Sequence, residues 1–233
     1  MKKSIIAIIC LVTTAIIYSQ SLDNIIYKHQ EAVNAKKRST FNSLIIKGHI
    51  NMQGMKLSLE IYEKAPDKFK TVSSYNGMEM VQVVNGDHGY MINPLMGSGE
   101  AVPLTPEQVS SVKIGSLLTN NILDYYSDGK MELKGEELVS GSPAYKIRIS
   151  APDGDRYIFI DKESYHITQL RLTVNQGGND TTVEMRMSNY DQVDGVTIAM
   201  VTDTFMNGQP AGSAVYESIE FNREIDDSVF KIK

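Results

Sequence analysis

Tryptophan is absent from this 233-residue chain, and a single cysteine, Cys10, is its whole thiol content. One cysteine excludes an internal disulfide framework and any cysteine-built zinc or iron–sulfur centre. Basic charge is also short: 23 Lys and Arg stand against 28 Asp and Glu, a net of -5. A nucleic-acid binder needs a basic face, so nucleic acid is excluded as a partner. Seven prolines, 17 glycines and a 42% hydrophobic content fit neither collagen nor low-complexity disorder. The four histidines (His29, His49, His88 and His166) never fall two, three or four residues apart, so no histidine metal motif is present. No G-x-S-x-G elbow or glycine-rich phosphate loop occurs. Asp153-Gly154-Asp155 lacks the later ligands of a calcium loop and reads as a hairpin turn. These absences predict a protein that is not an enzyme and takes no cofactor. Were it a hydrolase, Glu60, Glu79, His88 and Asp203 are the polar strand residues that would have to meet at a cavity mouth.

What is present begins with an address. Lys2 and Lys3 precede an almost wholly apolar run, Ser4 to Ile17, and small or polar residues follow through Ser21. This is the layout of a cleavable signal peptide over residues 1–20, cut after Ser19 or Gln20. An apolar run of about 14 residues is short against the roughly 20 of a transmembrane helix. Cys10 sits inside the run behind Ile8 and Ile9, which is unlike a lipid-attachment site. Cleavage removes two lysines, no acid and the only thiol, leaving a chain of charge -7 that packing alone must stabilise.

Residues 21–233 read as one domain. Leu22, Ile25, Ile26, His29 and Val33 recur at helical spacing and predict an amphipathic opening helix. Lys36-Lys37-Arg38 reads as its solvated basic end. From Phe41 the period changes to two. Met55, Leu57, Leu59 and Ile61 alternate with polar neighbours, and Asn76-Gly77 and Asn85-Gly86 mark hairpins. Alternation stops between Pro94 and Asp128, where Thr105-Pro106-Glu107 resembles a helix start and Val109, Val112, Leu117 and Leu118 supply apolar positions. Strands then resume to Asn222, separated by turn-rich connections. About eleven strands are expected, predicting a mainly β (α+β) fold: a strongly curved, unclosed antiparallel barrel with an N-terminal helix and a helical insert over residues 94–128.

The methionines are the unusual part of the inventory. Met78 with Met80, Met185 and Met187 with Val183, and Met200 with Ile198 lie on alternating faces. Flexible, polarizable methionine suits a surface that repacks around variable apolar partners. Together with Met55, Leu57, Leu59 and Ile61 these residues are the candidate lining of a lipid-sized cavity.

The plan resembles the periplasmic lipoprotein carriers of the LolA/LolB-like superfamily. The likeness covers most of residues 21–233. Its local echoes are Pro66-Asp67-Lys68-Phe69-Lys70, Tyr157-Ile158-Phe159-Ile160-Asp161-Lys162 and Asp226-Asp227-Ser228-Val229-Phe230-Lys231-Ile232. The resemblance implies an unclosed barrel whose insert (Val109, Val112, Leu117, Leu118) lids an acyl-binding cavity. It also implies a periplasmic monomer that carries an acylated lipoprotein or other lipid-like ligand, received from an inner-membrane delivery complex. Two features depart from it: Lys70 stands where an arginine is common, so no bidentate fork is available there to tie down a lid, and no tryptophan lines a cavity. On the same fold, a non-catalytic envelope-stress sensor or structural interaction protein is the alternative reading.

Overall fold

A computed structural model describes residues 20–94, 98–118, 125–151, 154–176 and 179–231; the expected signal peptide lies outside them apart from Gln20. Helix α1 (Leu22–Ala32) begins where the Ser21 hydroxyl accepts the Asn24 amide at 3.3 Å. That cap satisfies one of the donors a helix start leaves open. The expected stripe is the buried one: Ile25, Ile26 and His29 turn inward. Left-handed Asn34 (φ 51°) then breaks the axis, and a short helix α2 (Ala35–Arg38) follows.

The rest is strand. β1 (Ser43–Met52), β2 (Met55–Lys64), β3 (Lys68–Tyr75), β4 (Met78–Asn85), β5 (His88–Asn93) and β6 (Ser98–Pro103) form one run of hairpins. Helix α3 (Pro106–Ile114) opens the connection to a second run. That run comprises β7 (Met131–Val139), β8 (Ser142–Ala151), β9 (Gly154–Asp161), β10 (Ile167–Gln176), β11 (Asn179–Val193), β12 (Val196–Met206) and β13 (Gln209–Phe221). All thirteen make one antiparallel sheet, ordered β6-β5-β4-β3-β2-β1-β13-β12-β11-β10-β9-β8-β7. β6 and β7 are its two edges, so the sheet is not closed.

Two expectations about this architecture need correction. There are thirteen strands rather than eleven, the additional pair being β5 and β6. β6 is a sheet edge whose Gly99, Glu100, Ala101, Val102 and Pro103 are all exposed, so no burial pressure imposes an alternating pattern on it. For the same reason residues 94–128 are not a purely helical insert, because β6 lies within them. The described helical parts are α3, whose Thr105–Gln108 capping box matches the expected start, and a single turn at residues 125–127.

The register sorts side chains onto two faces. On one, Leu59 lies across from Gly48 and Ser73, and Glu63 from Leu44 and Phe69. Met185 lies there across from Leu170 and Thr204. This face bends on itself. Gln82 of β4 and Leu172 of β10 line one cavity although seven strand spacings separate their strands, about 34 Å across a flat sheet at ~4.8 Å per strand. Inside the curl, α1 packs Ile25 and Ile26 on Met131, Tyr145, Ile147, Ile149, Ile158 and Ile160. Val109 of α3 covers Phe69 and Val84. Leu118 joins Leu44, Ile46, Val196, Ile198, Ile219 and Phe221.

Residues 225–230 cover part of the outer face, over β1–β4. Ile225 and Phe230, the latter on a 3-10 turn (Asp227–Phe230), pack on Val83. Lys64 and Lys68 each donate to Asp227 at 2.7 Å, and these contacts hold its carboxyl at about 2. Among the described residues no helix is long and apolar enough to cross a membrane.

Among the described residues the two hairpin runs share strand pairing only between β1 and β13, and that ladder shifts register between Lys47 and Gly48. A Cβ on Gly48 would lie 2.0 Å from the Val215 carbonyl oxygen, so the strands could not keep their spacing. Gly48→Ala is expected to cost at least about 2 kcal/mol and to lower Tm by roughly 4–8 °C. Thermal unfolding followed by circular dichroism checks this.

Candidate functional site: an apolar cavity inside the curl

Between α1 and α3 the inner face is not filled. A cavity of about 340 Å³ remains, within the usual range for small-ligand pockets. Its floor comes from β9 to β13: Ile158, Leu170, Met185, Met187, Ile198, Thr202 and Tyr216. His29, Val33 and Arg38 close one side, and Gly115, Ser116, Leu117 and Tyr125 roof it. A second, more polar cavity of about 680 Å³ lies between α3 (Glu107, Gln108, Ser111, Val112), β4 and β9–β10, and Arg156 lines both.

The roof is tied to the sheet by a carboxylate. Glu63, 4% exposed, accepts from the Ser116 hydroxyl at 2.7 Å and from the amides of Leu117 and Leu118 at 3.1 and 2.9 Å. Burial raises its pKa above the ordinary carboxylate value, even though those hydrogen bonds and the nearby Arg38 charge favour the ion. The alternation of β2 explains its place: Leu57, Leu59, Ile61 and Glu63 share one face, so an acid occupies a core position. The tie that Lys70 cannot provide is thus made from the neighbouring strand, and Lys70 itself lies across from Tyr62 on the outer face.

Polar groups gather at the α1 side of the cavity. The His29 Nδ1–H donates to the Tyr165 carbonyl at 2.8 Å, and burial lowers the ring to about 4. Arg38 Nη2 donates to the Thr197 carbonyl at 3.0 Å. Reading Arg38 as part of a solvated helix end is therefore wrong: α2 turns it into the cavity wall, while Lys36 and Lys37 stay exposed. The Tyr190 hydroxyl donates to the Ile167 carbonyl, and burial raises its pKa.

The register puts all eleven strand residues singled out in the sequence on the inner face. Of these, Met185, Met187 and Ile198 line the cavity. Leu57 and Leu59 are buried core, while Ile61 and Met200 pack on the Leu44 cluster. Met55, Met80 and Val183 are half-buried away from it, and Met78 is 39% exposed. Among the insert residues, Leu117 lines this cavity and Val112 the second, whereas Val109 and Leu118 are core. Glu60, Glu79, His88 and Asp203 fall on the outer face and do not meet at the cavity. The sequence reading missed His29, Arg38, Glu63, Arg156 and Tyr190. Two of them carried a signal: Glu63, an acid in phase with an apolar series, and His29, in phase with the stripe of α1.

A single curled, open antiparallel sheet with helices on its inner face is a LolA-like architecture. A domain from Vibrio parahaemolyticus named for outer-membrane lipoprotein sorting superposes with TM-score 0.57 at 12% identity, over 89% of this chain and 96% of that one. A LolA superfamily protein from Nitrosomonas europaea gives 0.57 at 10%, over 92% and 99%. A DUF1329 family protein from Desulfovibrio piger gives 0.56 at 13%, over 89% and 97%. No family sequence model and no curated protein sequence matches the chain. At these identities the likeness is one of fold.

Two predictions follow from the buried groups. Between pH 6.5 and about 4 the unfolded chain binds a proton at His29 that the folded chain does not. Its contribution is complete above pH 6.5 and is lost as pH falls through that window. Denaturant titrations at pH 7 and 4.5 should show the wild type losing about 2–3 kcal/mol more than His29→Gln. Glu63→Ala removes the shared acceptor of three hydrogen bonds and should cost about 1–3 kcal/mol. Hydrogen exchange at the Leu117 and Leu118 amides should accelerate, and protection unchanged there would contradict the tie.

Proposed function

We propose that the protein is a non-catalytic periplasmic carrier that shields acyl chains of a lipoprotein or similar lipid-like ligand during outer-membrane lipoprotein sorting. One observation carries this reading: an apolar cavity inside an open curled sheet, floored by flexible Met185 and Met187 beside Leu170, Ile158 and Ile198. Methionine side chains can repack around chains of differing length. Each methylene moved from water onto this floor contributes roughly 0.8 kcal/mol, so about ten buried methylenes match micromolar affinity before the cost of association. The segment from α3 to Leu118 acts as the lid, held shut by Glu63. A signal peptide over residues 1–20 delivers the chain, which works as a monomer and receives its cargo from an inner-membrane complex. The net negative charge disfavours lasting attachment to an anionic membrane surface.

The reading is tested by titrating detergent-free protein with a fluorescent fatty-acid probe and with a triacylated peptide. Saturable uptake is expected, weakened at least about tenfold by Met187→Glu, which sets a charge on the cavity floor. Absence of uptake for both ligands in folded protein would contradict it.

A further inference from the structure

The cavity is not uniformly apolar, and Arg38 stands in its wall. Three arginines have a buried Nε without a hydrogen-bond partner among the described residues: Arg38, Arg148 and Arg186. Two of them are neutralised by carboxylates: Arg148 by Glu132 and Asp155, and Arg186 by Glu184. Arg38 has no such ion pair among the described residues. Its nearby carboxylate, Glu63, directs its oxygens to Ser116, Leu117 and Leu118. What Arg38 does hold is one carbonyl, that of Thr197.

A guanidinium carries five donors and cannot shed its charge in a protein. Burying it without a directly paired anion is costly, so an arginine in a cavity wall whose nearby carboxylate, Glu63, is taken up by other donors marks a place for an anion. Arg156, 7% exposed, brings a second guanidinium to the same cavity. Neutral His29 adds no competing charge. Opposite these groups the floor is Leu170, Met185 and Met187. The volume limits the ligand further. At ~30 Å³ per water-sized group, 340 Å³ holds roughly eleven such groups, enough for one medium acyl chain.

We propose that the cavity takes a single-chain amphiphile with an anionic head, a carboxylate or a phosphate, whose chain lies on Met185 and Met187 and whose head meets Arg38. This rests on the acyl-chain reading and narrows it to an anionic ligand class. Arginine suits either head, because its planar fork donates to carboxylate and phosphate in the same bidentate way.

The test measures displacement of an uncharged fluorescent probe, N-phenyl-1-naphthylamine, at pH 8. The competitors are dodecanoate, dodecyl phosphate, methyl dodecanoate and inorganic phosphate. Wild type is compared with Arg38→Gln and Arg38→Lys, each verified as folded by its thermal melt. In the wild type, one or both of the anionic dodecyl ligands should bind at least about tenfold tighter than the methyl ester, and which one does so identifies the head. Arg38→Gln should erase that preference, bringing the anionic ligands to within about twofold of the ester measured on the same variant, and Arg38→Lys should keep part of it. Equal affinity for anions and ester in the wild type, or a preference that survives in Arg38→Gln, overturns the anion site while leaving acyl binding intact. Displacement by inorganic phosphate as strong as by the dodecyl ligands overturns it in favour of a small-anion site. If no dodecyl ligand displaces the probe, the acyl-chain reading falls and the anion site falls with it.

Discussion

Everything inside the curl is held in position by one antiparallel ladder, the pairing of β1 with β13. It joins a six-strand run to a seven-strand run that share no other edge, since β6 and β7 end the sheet on opposite sides. The ladder brings strands from near the two ends of the described chain together, so its contacts are the most distant in sequence and rely on every hairpin between them. It also tolerates no side chain where Gly48 passes Val215, and the register shift there sets Tyr216 against Gly48 on the inner face. Tyr216 is then a wall of the cavity. Fold and cavity thus depend on the same few residues.

The curl has more inner surface than its helices can cover. α1 satisfies the β7–β9 side with Ile25 and Ile26, and α3 satisfies β3–β4 with Val109. Between them, residues 115–118 pass over β10–β13 without filling the space beneath. An open sheet can hold such a gap because its curvature, unlike that of a closed barrel, is set by what packs inside it. Glu63 fixes the height of the roof by accepting three hydrogen bonds from it, and in doing so it leaves Arg38 without an ion-pair partner. One carboxylate therefore shapes both the closure of the cavity and its electrostatic character.

Much of the fold was legible in the sequence because alternation is strong wherever one face is buried and the other wet. β2, β11 and β12 announced their inner faces residue by residue, and α1 announced its stripe. β5 and β6 were not legible: on the edge strand β6 burial does not dictate pattern, and six-residue strands give too few repeats. The site was legible only in part. Methionine spacing located the floor at Met185, Met187 and Ile198, but it could not separate them from Met55 or Met78 on the same face. Which inner-face residues meet a cavity depends on where helices cover the sheet, a long-range property. Arg38 was misread for a related reason, since Lys36-Lys37-Arg38 is locally a helix end and only the left-handed turn at Asn34 points its last member inward.

The central claim is that the floor formed by β10–β12 receives an acyl chain. It is tested most directly by nuclear magnetic resonance of 13C-methyl-labelled methionines titrated with a spin-labelled fatty acid. The account predicts that the Met185 and Met187 methyl signals broaden first and saturably, ahead of the exposed Met78 and Met206. Broadening that begins at Met78 or Met206, or that never saturates at Met185 and Met187, would contradict it.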